Sequence, residues 1–235
     1  VAGAVFSGDV GPEIGEGKVA IISLDGAITP SAGGSFSSQG VTPGTVRDLN
    51  DRAEQQGADA IVYEWNSGGG SVVASKDIRR EIEKVEIPTV CRFRDVSASG
   101  AYLASLGCDR VVADSSTLTG SIGVTGSYLE FSGLLERFDV EYVEVKSGDL
   151  KEVGSPFANA TEQEKEVLRN IANETSEEFV SDVAERRNLS EEEIDRIDSG
   201  RIILGEEAQE IGLVDTLGGR QESIEEAENL TGREL

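Results

Sequence analysis

The sequence predicts an α/β fold with parallel strands joined by right-handed crossovers. Three observations carry this expectation. Strand-like runs alternate with helix-like stretches three times in close succession, the strand runs are short and almost continuously apolar, and Gly or Asp-Gly turns separate them. Residues 18–24, Lys-Val-Ala-Ile-Ile-Ser-Leu, are such a run, closed by Asp25-Gly26. A Gly/Ser-rich loop over roughly 31–40 follows, and then a helix over 43–56, opened by Pro43 and ended near Gly57. The three strand-then-helix units are strand 59–64 with helix 71–85, strand 88–93 with helix 98–106, and strand 109–113 leading into a long turn. A helix near 128–138 and a strand near 140–145 continue the pattern. Beyond residue 160, Thr161-Glu162-Gln163-Glu164 forms a capping-box start for an amphipathic helix to about 187. Ser190–Ile197 predicts a shorter helix, and Gly205–Ile211 and Glu222–Asn229 predict two more in what reads as a peripheral helical arm.

At 235 residues, with 37% hydrophobic residues and no apolar run of eighteen, the chain fits one domain with a real core and no bilayer crossing of its own. It opens on Val1 and contains no methionine, as expected of a piece of a longer product. Residues 1–17 are expected to be a flexible remnant behind a missing membrane anchor. Acidic residues number 45 against 21 basic ones, a formal net charge of -24. That charge argues against nucleic acid as a partner. Only six of the basic residues are lysines, and the acids are spread along the chain, a pattern that looks haloarchaeal. Cys91 and Cys108 flank one predicted helix near strands and read as small core residues rather than a bridge. Two cysteines without histidine do not make a zinc site, and neither a metal nor a cofactor is assigned. Four Asn-x-Ser/Thr sequons, at Asn159, Asn173, Asn188 and Asn229, use four of the seven asparagines and suggest an outward-facing domain.

The absence of histidine excludes Ser-His-Asp and Cys-His catalysis, so a serine nucleophile would need another base. Lysine serves if burial lowers its pKa from about 10.4 toward roughly 7–8. Ser99 follows a strand and opens a helix of small residues, Ser97-Ala98-Ser99-Gly100-Ala101-Tyr102. There a hydroxyl meets the helix N-terminus, whose N–H groups can stabilise an oxyanion. An ordinary N-cap serine explains the same position equally well. Gly68-Gly69-Gly70 is a second turn that exposes backbone before a helix; it lacks phosphate-loop spacing, and a plain strand-to-helix turn stays open.

Together, Asn66-Ser67-Gly68-Gly69-Gly70-Ser71-Val72, Ser97–Tyr102 and Leu118-Thr119-Gly120-Ser121-Ile122-Gly123-Val124 resemble the signal peptide peptidase A family. Lys146-Ser147-Gly148-Asp149-Leu150-Lys151 with Gly154-Ser155-Pro156, and Gly200-Arg201-Ile202 with Gly212-Leu213-Val214-Asp215, agree in the same order. The resemblance implies a ClpP/crotonase-like fold of repeated ββα units with a C-terminal helical arm. Its peptidase domain would cover 18–220, with 221–235 as a closing helix and tail. It also implies Ser99 as nucleophile, Lys151 as general base and Ser121 as the serine that orients the lysine. The oxyanion donors would be the N–H groups of Gly70 and Gly100, and Gly68 and Gly69 would dock a substrate strand. Lys146 aligns with a non-catalytic lysine.

Two departures stand out, Gly68 where the family has proline and Ala101 where it has a second glycine. Glu152, beside Lys151, is expected to point away so that it does not hold the ammonium charged. The implied activity is endoproteolysis of signal-peptide remnants by a membrane-anchored enzyme facing outside the cell. The implied assembly is a ring-shaped homo-oligomer, an octamer by the family's pattern, in which neighbouring subunits complete the sites. A crotonase-like acyl-CoA enzyme and an inactive peptide-binding scaffold are the rivals.

Overall fold

Four short parallel strands crossed by helices carry the molecule, and each of these strands was expected from its apolar run. The computed structural model describes residues 13–14, 18–31 and 40–235; the Gly/Ser loop and most of the N-terminal remnant lie outside them. In chain order the elements are β1 (Glu13–Ile14), β2 (Val19–Asp25), α1 (Pro43–Gln55), β3 (Ala60–Ser67), α2 (Val72–Glu83), β4 (Thr89–Ser97), α3 (Gly100–Ser105) and β5 (Arg110–Ala113). They continue as β6 (Leu118–Gly120), α4 (Ser132–Arg137), α5 (Glu162–Arg187), α6 (Glu191–Ile197), β7 (Ile202–Leu204), α7 (Gly205–Glu210), β8 (Thr216–Leu217) and α8 (Arg220–Thr231). The sheet runs β1-β2-β3-β4-β5-β8, antiparallel at the β1 edge and parallel elsewhere. The β3–β4 register shifts between Trp65 and Ser67, where β4 carries extra residues before the Ser67↔Ser97 pair. There β6 joins β4 at Val96↔Leu118 and pairs antiparallel with β7.

Strand β3 shows why the pattern was readable: Ala60, Ile61, Val62, Tyr63 and Trp65 are all buried, as a central parallel strand covered on both faces requires. Helix α1 turns Val46, Leu49 and Ala53 inward at helical spacing. Its N-cap, Thr42, accepts the Thr45 N–H at 3.1 Å. Asn50, also buried on α1, accepts the Tyr63 hydroxyl and donates to the Glu81 carbonyl, tying α1, β3 and α2 together. The capping box predicted for α5 is present: the Glu164 carboxylate accepts the Thr161 N–H at 2.7 Å, and Thr161 Oγ1 accepts the Glu164 N–H.

The chain divides into two compact units, the first ending at Ile122 and resuming at Val180, the second Gly123–Phe179. In the first unit, helix α8 lies on β3, β4 and β5, with Ala227 in a core cluster with Val62, Val90 and Val112. In the second, the strand expected over 140–145 does not form, and Val140, Tyr142, Val143 and Val145 are exposed. A strand needs a neighbour for its N–H and C=O groups, and among the described residues of this unit none pairs with the segment. The helix expected over 128–138 contracts to α4. Among the described residues, no helix is long and apolar enough to cross a membrane.

The cysteines require a correction. Both are buried, as expected, but they form a disulfide with Cα atoms 5.8 Å apart. The β4–α3–β5 crossover explains it: Cys91 stands opposite Val111 in the β4–β5 ladder, so the residues just before β5 return beside the first half of β4.

Candidate active site

Ser99 occupies the N-cap of α3, directly beyond the end of β4, with φ 54° and ψ −125°. A non-glycine residue in such backbone costs roughly 1–3 kcal/mol and persists only where its surroundings fix it. They do so on both sides. The Ala98 N–H donates to Ser67 O, the Ser99 N–H to Gly120 O at 2.9 Å, and the Leu103 N–H to Ser99 O. The geometry also separates Ser99 from an ordinary cap. Thr42, Ser71 and Ser190 have extended backbone and accept a helix N–H through their side chains, whereas Ser99 makes no side-chain cap bond. Its hydroxyl is half-buried and not committed to the helix.

The glycine turn lies against this serine. Gly69 has φ +94°, and a Cβ placed there would stand 2.6 Å from Gly100 N, 2.9 Å from Ala98 O and 3.0 Å from the Ser99 Cβ. A Cβ at Gly100 would collide with Ser75 Oγ and stand 3.1 Å from Gly70 N. Gly70 pairs with Ile28 through its neighbours, the Ile28 N–H donating to Gly69 O and the Ser71 N–H to Ile28 O. In a parallel ladder this turns Gly70's own N–H away from Ile28. Gly100 is the first residue of α3, where the N–H has no partner within the helix. Two main-chain donors from different elements therefore sit side by side next to a serine hydroxyl. A Cβ at Gly68 would meet nothing within 4 Å, so glycine is not required there by space. Ala101 is fully buried, and its methyl group is accommodated in α3.

Ser121, φ +50°, follows β6, and its N–H donates to Arg201 O at 2.8 Å. Thr119 Oγ1 donates to Ser97 O at 2.6 Å. The segments around residues 69, 99, 120 and 201, far apart in sequence, thus converge within the first unit. Behind them the Tyr102 hydroxyl donates to Leu213 O at 2.8 Å, and burial pushes its pKa far up, so it remains a neutral donor. Arg187 grips Asp215 with two hydrogen bonds and Gly212 O with a third. Three supports were not singled out from sequence: Ser67, whose Oγ accepts the Gly69 N–H, Ser75, packed under Gly100, and Thr119. Ser67 and Thr119 are small polar residues within the motifs and Ser75 lies just beyond one, and only their burial reveals their role.

Lys151 belongs to the second unit. Its N–H donates to Gly148 O in a turn, and its side chain is exposed. Lys146 is bound to Glu144 at 2.6 Å, and this hydrogen bond holds its ammonium above the usual lysine range, the wrong direction for a base. The Glu152 carboxylate accepts the Tyr142 hydroxyl at 2.7 Å, so it is engaged by that phenol.

The sequence profile described as peptidase family S49 matches residues 81–234. A Methanocaldococcus jannaschii protein, provisionally named a protease, is 35% identical over 77% of this chain and 59% of its own length. An Enterococcus faecium protein, provisionally named a signal peptide peptidase SppA, is 33% identical over 88% of this chain and 62% of its own. The chain therefore spans about three fifths of these relatives. Among solved structures, a ClpP1 mutant from Listeria monocytogenes superposes with TM-score 0.54 at 17% identity, over 86% of this chain and 93% of that one. A membrane-bound stomatin-specific protease mutant gives 0.59 at 16%, over 94% and 92%. At such identities the likeness concerns the fold, which is of the ClpP/crotonase-like kind. The S49 profile takes in the β4–α3 turn with Ser99, the β6 turn with Ser121 and the Lys151 turn, and the chain belongs to peptidase family S49.

Proposed function

We propose that this chain is a serine endopeptidase with Ser99 as nucleophile and Lys151 as general base. The observation that carries the reading is the backbone of Ser99, held in a costly conformation with its hydroxyl uncommitted and the N–H groups of Gly70 and Gly100 beside it. Ser99 Oγ attacks the scissile carbonyl while the neutral Lys151 amine takes its proton, and the two N–H groups bind the resulting oxyanion. The lysine then returns the proton to the leaving amine. Water, deprotonated by the same lysine, hydrolyses the acyl-enzyme. Ser121 orients the amine. Desolvation of Lys151 is assigned to assembly with a neighbouring subunit in a homo-oligomer.

Assembly is supported by the second unit, which carries twelve of the sixteen exposed large hydrophobic residues among those described. Such a concentration marks an interaction surface. Substrate lies as an extended strand along Gly68–Gly70. Peptides left by signal-peptide cleavage are the proposed class, in keeping with the Enterococcus faecium relative's name. The proposal includes an upstream membrane anchor, with the catalytic domain on the extracellular side. All four sequon asparagines are exposed, and a disulfide belongs in an oxidising compartment.

The test is a fluorogenic-peptide assay in molar salt with wild type, Ser99→Ala and Lys151→Ala. Wild type should cleave, and either substitution should reduce kcat by about 10³-fold or more. Cleavage by Ser99→Ala at the wild-type rate overturns the reading.

A further inference from the structure

The disulfide encloses the candidate nucleophile. Cys91 lies in β4 and Cys108 three residues beyond the end of α3, so the closed segment contains most of β4, Ser99 and all of α3. Inside this loop the support for Ser99 comes from contacts with the rest of the fold and not from a continuous ladder or a self-standing helix. The β3–β4 ladder is regular to Trp65↔Phe93, then shifts and resumes only at Ser67↔Ser97. Helix α3 has six residues, too short to hold itself without tertiary contacts. Its N-terminus must nevertheless keep Ser99 at φ 54°.

Several groups anchor the far end of α3. Arg186 donates to Leu106 O at 2.8 Å and to Cys108 O at 3.3 Å, and the Trp65 indole N–H lies 3.2 Å from Cys91 Sγ. The bridge is the covalent member of this set. Two thiols cannot occupy the separation of a bond, so reduction parts the two sulfurs inside a closely packed core, where the change is passed to the side chains of β4 and the end of α3.

We propose that the Cys91–Cys108 disulfide is a positioning element for Ser99, so that turnover depends on the oxidised state of this pair. The inference rests on the peptidase reading above. The chemistry is two-electron thiol–disulfide exchange: dithiothreitol delivers two electrons and two protons to the sulfurs and becomes its cyclic disulfide. Oxidised glutathione reverses the change and is itself reduced to two glutathione thiols. Gly68–Gly70 lies outside the closed segment, so substrate docking should be less affected than the chemical step.

The experiment uses the full chain in molar salt, as isolated, reduced, and reoxidised, together with a Cys91→Ala/Cys108→Ala variant. Peptide mapping without reductant should give the linked peptides 2 Da below the sum of their thiol forms. Reduction should brighten the fluorescence of Trp65, the chain's single tryptophan, because an adjacent disulfide quenches indole emission. At a temperature where circular dichroism shows the protein folded, kcat of the reduced protein should fall by about 10- to 100-fold, with KM changed by less than about threefold. Reoxidation should restore it. Glu64→Gln, which destabilises the sheet with the bridge intact, should keep wild-type kcat.

Free thiols after refolding with oxidised glutathione, or a folded reduced protein with wild-type kcat, overturn the proposal. The double variant serves as the folded thiol-free form if reduced protein precipitates. Ser99→Ala in the same assay separates the two inferences. If it is inactive while reduction has no effect, only the positioning role falls; if it is active, the peptidase reading falls first.

Discussion

A single methyl group at Gly69 would undo the turn beside Ser99. The position combines φ +94° with a Cβ that would approach Gly100 N to 2.6 Å, whereas its neighbour Gly68 has open space around it. Gly69→Ala is therefore expected to lose about 1–3 kcal/mol of stability and most of kcat. Gly68→Ala should stay within about 0.5 kcal/mol of wild type with kcat little changed. Urea unfolding at fixed salt and peptide kinetics check both, and equal behaviour of the two variants would refute the close approach described. The three glycines look alike in sequence, because the contact that distinguishes them is made across the fold to residue 100. Ser99 poses the same problem. A nucleophile and a helix cap share one position, and only the backbone angles and the unused side-chain bond part them. The cysteines were misread for a related reason: small size and burial suit a core thiol and a bridge equally, and the crossover decides between them.

At the level of elements, β3 carries one charged residue in its apolar run. Glu64 is 2% exposed and accepts hydrogen bonds from Arg92 on β4 and from Arg220 at the start of α8. The three side chains fasten α8 to the sheet. Burial alone would raise the Glu64 pKa, but the bonds from Arg220 and Arg92 outweigh it and hold the carboxyl below the usual range. A folded pKa below the unfolded one means that the ion cluster contributes its full stability above the unfolded value of about 4.3. That contribution is lost as pH falls through the lower, folded value. Glu64→Gln should thus cost about 2–4 kcal/mol at pH 7 by removing the buried negative charge that Arg92 and Arg220 share, and its deficit should shrink below about pH 4. Thermal melts of both proteins between pH 3 and 7 test this; a deficit constant with pH would reject the assignment. Strands β2 to β5 were legible as short, almost continuously apolar runs between turn residues, and helices α1 and α2 by an inward face at helical spacing. The segment 140–145 was not, since its strand-like composition has no partner strand among the described residues of its unit. Nor was the docking of α8 on the sheet, which depends on Glu64 at a distance of 156 residues from Arg220.

For the whole molecule the governing quantity is charge. With 45 acidic and 21 basic residues the formal net charge is -24, and folding brings these charges closer together. Salt has two opposing effects. It weakens the exposed ion pairs, such as Arg80–Asp77 and Lys165–Glu162, but each of these contributes only about 0–1 kcal/mol. It also screens the repulsion among the acids in excess, which acts over the entire surface, and this second effect should dominate. The Debye length falls from about 10 Å at 0.1 M to about 3 Å at 1 M, so screening is nearly complete by molar concentration. The thermal midpoint is therefore expected to rise steeply with KCl below about 1 M and to flatten above it. NaCl should act like KCl, because screening depends on ionic strength. A midpoint unchanged between dilute buffer and molar salt would refute the dominance of charge repulsion. A steady rise that continued past 1 M, steeper in sulfate than in chloride at equal ionic strength, would assign the effect instead to strengthened burial of apolar surface.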